Sequence, residues 1–252
     1  MDSNQTSAVV VIGNEILSGR TQDVNVQFLA RRLGALGLPL VEVRVIPDVF
    51  ATIVATINDV RARFDFVFTT GGIGPTHDDI TSEAVAAAFG VPWEPHPLAW
   101  ERLERHLGPE NFNKARQRMA TMPRGARLIE NAISVAPGFA IGNVYVMAGV
   151  PRIMRSMFDH LEPQLPSGQP VLARAVYAVG VMEGIIAEGL EAIQNRFPDL
   201  DIGSYPFYRI TGNGVALVAK GTDEARLVAA QTEMGELIKS VGRTPVEGEP
   251  EQ

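Results

Sequence analysis

"FVFTTGGIGPTHDDIT", residues 66–81, is the stretch from which the rest of the chain can be read. Phe66 to Thr70 is short, aromatic and β-branched, as a buried strand should be, and it runs directly into glycines at 71, 72 and 74. A strand that ends in Gly-Gly-x-Gly-Pro has two readings. Either the backbone amides from Gly72 to Thr76, those of Ile73 and Gly74 included and Pro75 excepted because it has no N–H, close around an anion, or Gly and Pro only punctuate a tight turn. The spacing excludes two common nucleotide folds: a dinucleotide fingerprint lacks its third glycine, and no Gly-Lys-Ser/Thr follows as in a P-loop.

Asp78 and Asp79 sharpen the question, because carboxylates repel the anion that such a turn would hold. One aspartate is explained as a helix cap, and Thr81 or Asp79 is expected to cap the helix from Ser82 to Phe89 that Gly90 stops. Two adjacent carboxylates at the positive end of a helix are harder to explain that way. A divalent cation (Mg, Mn or Co) removes the conflict, since such an ion takes one or two carboxylates and shares its other positions with water and phosphate oxygens. His77 reads as a loop residue, and the four histidines show no zinc spacing.

Outward from this motif the pattern is that of an α/β sheet. Ala8 to Ile12 is an apolar strand broken by Gly13. Asp23 is placed to cap a helix carrying Val26, Leu29, Leu33 and Leu36, with Gly37 to end it. Val41, Val43 and Val45 alternate with Glu42 and Arg44, so this strand belongs near a sheet edge, and Pro47-Asp48 leads into a helix with Ile53, Ile57, Val60 and Phe64 on one side. Ligands of open α/β sheets collect at the carboxyl ends of strands. Gly13, Asn14 and Glu15 lie at one such end, Asp48 at the next and Gly71 to Thr76 at the third.

"GVPWEPHP" reads as loop, followed by helical stretches Leu98 to Leu107 and Asn113 to Met122, the second bearing Lys114 and Arg116 as candidates to neutralise phosphate charge. Gly142-Asn143 reads as a hairpin turn, and residues 162–170 as a linker. The expected organisation is an α/β domain over 1–165, a small α+β domain over 171–242 in the order strand, helix, strand, strand, helix, and a flexible acidic tail over 243–252. The small domain has a KH-like order, but it lacks the G-x-x-G loop and basic stripe of a nucleic-acid binder.

Composition narrows the function classes. There are no cysteines, so disulfides, thiolate metal sites and a cysteine nucleophile are excluded, and a reducing cytoplasm is the expected location. A net charge of −7 with interspersed signs disfavours a broad nucleic-acid footprint. No apolar run approaches a membrane span, and the N-terminus lacks a signal-peptide pattern. Hydroxyls such as Ser18 have no paired histidine and acid, which leaves a serine triad without support.

"VVVIGNEILSGRTQDVNVQFLARRL", "TTGGIGPTHDDIT", "NVYVMAGVPRIMRSMF" and "GLEAIQNRFPDLDIGSYP" together resemble the molybdopterin-binding-domain superfamily, within it the competence/damage-inducible protein A branch and the N-terminal domain of eukaryotic-type FAD synthase. The resemblance implies a three-layer α/β/α fold that binds a pterin or nucleotide phosphate at the Gly-rich turn. It also implies either adenylyl transfer to molybdopterin or metal-dependent hydrolysis of a dinucleotide diphosphate such as FAD or ADP-ribose. It carries the site to Gly71, Gly72, Gly74, Pro75, Thr76, Asp78, Asp79 and Thr81, to Gly13, Asn14 and Glu15, and to a late turn containing Gly149 and Pro151. Ala148 stands where the family usually has proline, and Ser134-Val135 where it often has Gly-Thr.

The leading expectation is a pyrophosphatase with Asp79, Asp78 and Asp48 as catalytic residues and Asp78, Asp79 and Glu15 as metal ligands. The alternatives are a molybdopterin adenylyltransferase and a non-catalytic pterin- or nucleotide-binding module. Isolated relatives commonly form dimers or trimers, so a homo-oligomer is expected.

Overall fold

The computed structural model describes residues 5–209 and 212–250, and the chain divides into two compact units, residues 1–168 and 169–252. The first unit opens with β1 (Ser7–Ile12), buried along its whole length, and turns through α1 (Asn14–Leu17) into α2 (Asn25–Ala35). Asp23 accepts the Val26 amide at 2.8 Å at the start of α2, while Gly37, at φ 74°, lets the Leu38 amide return to the Leu33 carbonyl. β2 (Leu40–Ile46), α3 (Phe50–Arg63), β3 (Phe66–Thr70) and α4 (Thr81–Phe89) follow. Together they place β2 and β3 on opposite sides of β1, as parallel strands joined by helical crossovers.

The next segment departs from the sequence reading. The expected loop "GVPWEPHP" contains β4 (Trp93–Pro95), and the expected helix over 113–122 breaks up after α5 (Pro97–Leu107) into a single turn, α6 (Lys114–Gln117), a 3-10 turn over Arg118–Ala120 and β5 (Thr121–Pro123). β5 pairs antiparallel with β4, so sheet pairing there outweighs helical propensity. β6 (Arg127–Ile129), β7 (Gly138–Ile141) and β8 (Val144–Met147) extend the main sheet, the last two joined by the Gly142-Asn143 turn. α7 (Pro151–Leu161) closes the unit.

The strand order is β2-β1-β3-β8-β7-β6, parallel from β2 to β8 and antiparallel beyond. Alternate residues of the central strands feed opposite cores. Ala8, Val10, Ile12 and Val67 pack with Ile53, Ile57, Val85 and Leu103 of α3, α4 and α5, whereas Val9, Val11, Phe66 and Phe68 pack with Leu29, Leu33, Met154 and Phe158 of α2 and α7. This is the three-layer α/β/α architecture. Phe68 is fully buried, stacked 5.2 Å from Tyr145 and tilted against Phe158 at 6.1 Å, and anchors the second core.

The second unit contains β9 (Leu172–Val179), α8 (Glu183–Arg196), β10 (Asp201–Phe207), β11 (Gly214–Gly221) and α9 (Glu224–Ser240). Its antiparallel sheet, ordered β10-β11-β9-β12, buries Leu217, Ile186, Ile193, Leu227 and Met234 between sheet and helices. The expected flexible tail over 243–252 contains β12 (Val246–Glu247), which pairs with β9 at Tyr177 and Val176 and is followed by a Gly248 amide bond to the Ala175 carbonyl. Free edge groups on β9 give this polar segment its strand partner. No helix among the described residues is long and apolar enough to cross a membrane.

One contact sets the geometry of the sheet's carboxyl end. Gly71 sits at φ 104°, where a Cβ would lie 2.0 Å from the Ile12 carbonyl oxygen, and a Cβ on Gly149 would lie 3.3 Å from the Gly71 Cα. The ends of β1, β3 and β8 therefore meet at backbone distance. Gly71→Ala is expected to lose about 2–4 kcal/mol in urea unfolding, from a strained φ and a direct clash. Gly34→Ala, in open space within α2, should instead gain about 0.5–1 kcal/mol. Equal effects from both would contradict this reading.

Candidate functional site

A crevice of about 600 Å³ opens at this meeting point. Its lining includes Gly13, Glu15, Asp48, Gly71, Gly72, Ile73, Gly74, Pro75, Asp78, Asp79, Gly149 and Pro151. The volume suits a cofactor-sized ligand. The remaining walls are largely apolar, with Leu103 and Leu107 of α5, Met119, and Ile153 and Met157 of α7. They form a surface on which a planar ring can rest.

The glycine bend leaves donors free. The Gly71 amide is taken by the Met147 carbonyl at 3.1 Å, and the Thr76 amide by Asp79 Oδ2 at 2.8 Å. The amides of Gly72, Ile73 and Gly74 donate to no protein acceptor among the described residues. α4 begins just beyond, with Ile80 at its N-cap and no side-chain cap. Neither Thr81 nor Asp79 is the helix cap expected from the sequence. Asp79 instead closes the preceding turn, accepting both the amide and the hydroxyl of Thr76, and Thr81 is fully buried under Gly72, whose carbonyl accepts the Thr81 amide at 3.0 Å.

The carboxylates gather on the same crevice. Glu15 folds back over Gly13, where a Cβ would meet both of its carboxylate oxygens at 2.6 Å. Asp48 accepts the Asn14 amide at 2.8 Å. Burial pushes the Asp48 carboxyl above the ordinary aspartate range; the Asn14 amide opposes that shift, and the negative charges of Glu15, Asp78 and Asp79 add to it. Asp78 moves the other way. The Thr76 hydroxyl, the residue's own amide and neighbouring His77 hold it below the usual range, and it projects into solvent. No lining residue is Lys, Arg or His.

Several expected site residues lie elsewhere. Asn14 and Thr76 support the crevice through the bonds above without lining it, and Thr81 is sealed in the core. Lys114 and Arg116 do not reach the crevice: Arg116 donates to the Asn111 carbonyl at 2.8 Å, and Lys114 is exposed on α6. The short α6 turn, rather than a long helix, points them away. The basic residue that does reach the motif is Arg118, whose Nη2 donates to the Asp79 carbonyl at 3.0 Å while its guanidinium lies 5.2 Å from the Trp93 ring. The three carboxylates read as one ligand set, Glu15, Asp78 and Asp79, are not arranged as one. Among the described residues no group of three or more His, Cys, Asp or Glu side chains is placed to hold a metal ion.

Ser134, Ala136 and Pro137 line the crevice from the β6–β7 loop. Within it Val135 sits at φ 65°, a left-handed conformation that a β-branched residue rarely adopts. Asn131 braces this loop by donating to the Ser134 hydroxyl at 2.6 Å and to the Ala136 carbonyl at 3.1 Å. The sequence signal was the Ser134-Val135 pair itself, in a segment otherwise similar to the family pattern.

Comparison with known families agrees with this architecture. Residues 8–167 match the family described as "Probable molybdopterin binding domain", and residues 170–245 match "FAD synthase, middle domain". The chain belongs to the molybdopterin-binding-domain family and carries an FAD synthase middle domain as its second unit. It is similar to a protein of Archaeoglobus fulgidus, 30% identical over 230 residues, covering 91% of this chain and 96% of that one. It is also similar to a CinA-like protein of Parasynechococcus marenigrum, 33% identical over 180 residues, covering 69% of this chain and 42% of that longer relative. Among solved structures it resembles the protein CinA from Thermoplasma acidophilum, with a TM-score of 0.61 and 30% identity over 65% of this chain and 99% of the other.

The raised Asp48 carboxyl has a stability consequence. A carboxyl whose folded pKa lies above its unfolded value destabilises the native state when ionised, and that penalty is relieved as the pH falls through the folded pKa. Asp48→Asn keeps an acceptor for the Asn14 amide without the charge. In metal-free buffer it is expected to raise the thermal midpoint at pH 7, with the gain shrinking toward acid pH. A lower midpoint at pH 7 would contradict the electrostatic assignment.

Proposed function

We propose that the first unit hydrolyses the diphosphate of an adenine dinucleotide, FAD or ADP-ribose, with a divalent metal ion. The observation that carries this reading is the union of four carboxylates and the three unbonded amides of Gly72, Ile73 and Gly74 in a crevice with no basic side chain. The amides suit one phosphate, but the carboxylates repel the rest of a diphosphate unless a cation stands between. The scattered carboxylates fit an ion of the magnesium type, which keeps several waters and takes only one or two protein ligands. Asp78 would hold it, being anionic and exposed, with water and phosphate oxygens in its other positions. Such an ion supplies charge neutralisation at the phosphate and a more acidic water.

The protein groups have distinct roles. The amides of Gly72 to Gly74 orient a phosphate, and the walls built by Leu103, Leu107, Ile153 and Met157 take a ring. Asp48, with its raised carboxyl, accepts the proton of a water attacking phosphorus. The P–O–P bridge then breaks, with AMP as one product and FMN or ribose 5-phosphate as the other. Similarity of the second unit to an FAD synthase middle domain supports a flavin dinucleotide among the substrates.

Incubation with FAD or ADP-ribose and Mg, Mn or Co, followed by chromatographic measurement of AMP, tests the proposal. Release of AMP is expected, with kcat reduced about 100-fold or more in Asp78→Asn and Asp48→Asn. No AMP with any of these metals, or undiminished turnover in both variants, would sink it. Pterin-dependent consumption of ATP would support adenylyl transfer instead, a reading in keeping with the pterin binding that the family's name describes.

A further inference from the structure

β2 is the outer strand of the six-stranded sheet, and among the described residues no strand pairs with its free edge. Its faces are used in an unusual way. Val43 and Val45 lie beside Val9 and Val11 of β1, which are buried, yet Val41, Val43 and Val45 are 60%, 41% and 41% exposed. The opposite face carries Glu42 and Arg44, which join Asp59 and Arg63 of α3 in one ionic network, with Arg44 Nε 2.6 Å and Arg63 Nη2 2.7 Å from Glu42. A lone exposed valine needs no explanation. Three on one strand whose outer backbone groups are unpaired make a template for another strand.

We infer that β2 pairs antiparallel with β2 of a second copy of this chain, about a two-fold axis through Val43. Directly opposed residues in a sheet share a face, so a two-fold axis perpendicular to the sheet must pass through a residue rather than between two. Centring on Glu42 sets Glu42 against itself, and centring on Arg44 sets Arg44 against itself; like charges directly opposed are destabilising. Centring on Val43 sets Glu42 against Arg44 of the partner subunit, and the symmetry repeats that pair. It also sets Val41 against Val45 of the partner subunit and Leu40 against Ile46 of the partner subunit. One seven-residue strand thus supplies both halves of its own complement, as an isologous interface requires. Charge excludes the two neighbouring registers, and Val43, the middle residue of the strand, is also the centre that overlaps all seven positions.

Sedimentation velocity of the full chain over a range of concentrations tests this. A monomer–dimer equilibrium is expected, weakened about tenfold or more by Glu42→Arg and by Arg44→Glu, because each converts two attractive cross-strand pairs into repulsive ones. An equimolar mixture of the two single variants should regain the dimer, since every opposed pair is then opposite in sign. Loss of the ion pairs within one subunit cannot produce that rescue. Val43→Lys, which disturbs only an exposed position, should also weaken association, and thermal unfolding of each variant reports an intact fold. A monomer at every concentration, association unchanged by all three substitutions, or no rescue on mixing would overturn the inference.

Discussion

The backbone contact between Gly71 and the Ile12 carbonyl is the constraint on which the rest of the site depends. It exists because β1 and β3 are adjacent parallel strands whose ends arrive together, and because β8 brings Gly149 to the same point. Any side chain at 71 would separate the strand ends. With hydrogen there, the Gly72 to Gly74 bend leaves its amides without protein acceptors, and the loops after β1 and β2 place Glu15 and Asp48 on the same rim. Asn25 reinforces the arrangement from α2, donating to the Gly149 carbonyl at 2.8 Å from a buried position.

The proposed function rests on an electrostatic imbalance. Asp48 and Asp78 respond to the same crevice in opposite directions, one driven up by burial and like charge, the other held down by hydrogen bonds in an exposed turn. Paired groups pushed apart in this way are suited to separate tasks, proton transfer and cation attraction. Arg118 contributes without entering the crevice. It fixes the carbonyl of Asp79 at the start of α4, and Trp93 holds its guanidinium in place.

Features governed by local rules were legible in the sequence. The Asp23 start and Gly37 stop of α2, the Gly142-Asn143 hairpin and the glycine bend itself all rest on one residue's own conformational preference or hydrogen bond. What depended on long-range packing was not. β4, β5 and β6 are three residues each, too short to show a period, and β4 and β5 carry prolines. Alternation in β2 gave the strand and its place at the edge, but not that its valines face outward while Glu42 and Arg44 lie against α3. Lys114 and Arg116 lie away from the crevice for a related reason, since a helix that ends after one turn no longer keeps its basic residues on one face. Asp79 was read as a ligand by type, whereas one of its oxygens is committed to Thr76.

The central claim is that the glycine amides and the carboxylate rim hold a diphosphate through a shared cation. Anomalous diffraction from crystals grown with manganese and a non-hydrolysable adenine dinucleotide tests it most directly. The account predicts a manganese peak at the Asp78 side of the crevice, with one phosphate on the amides of Gly72 to Gly74. A dinucleotide seated there with no manganese beside its diphosphate, or manganese bound elsewhere on the chain, would contradict it.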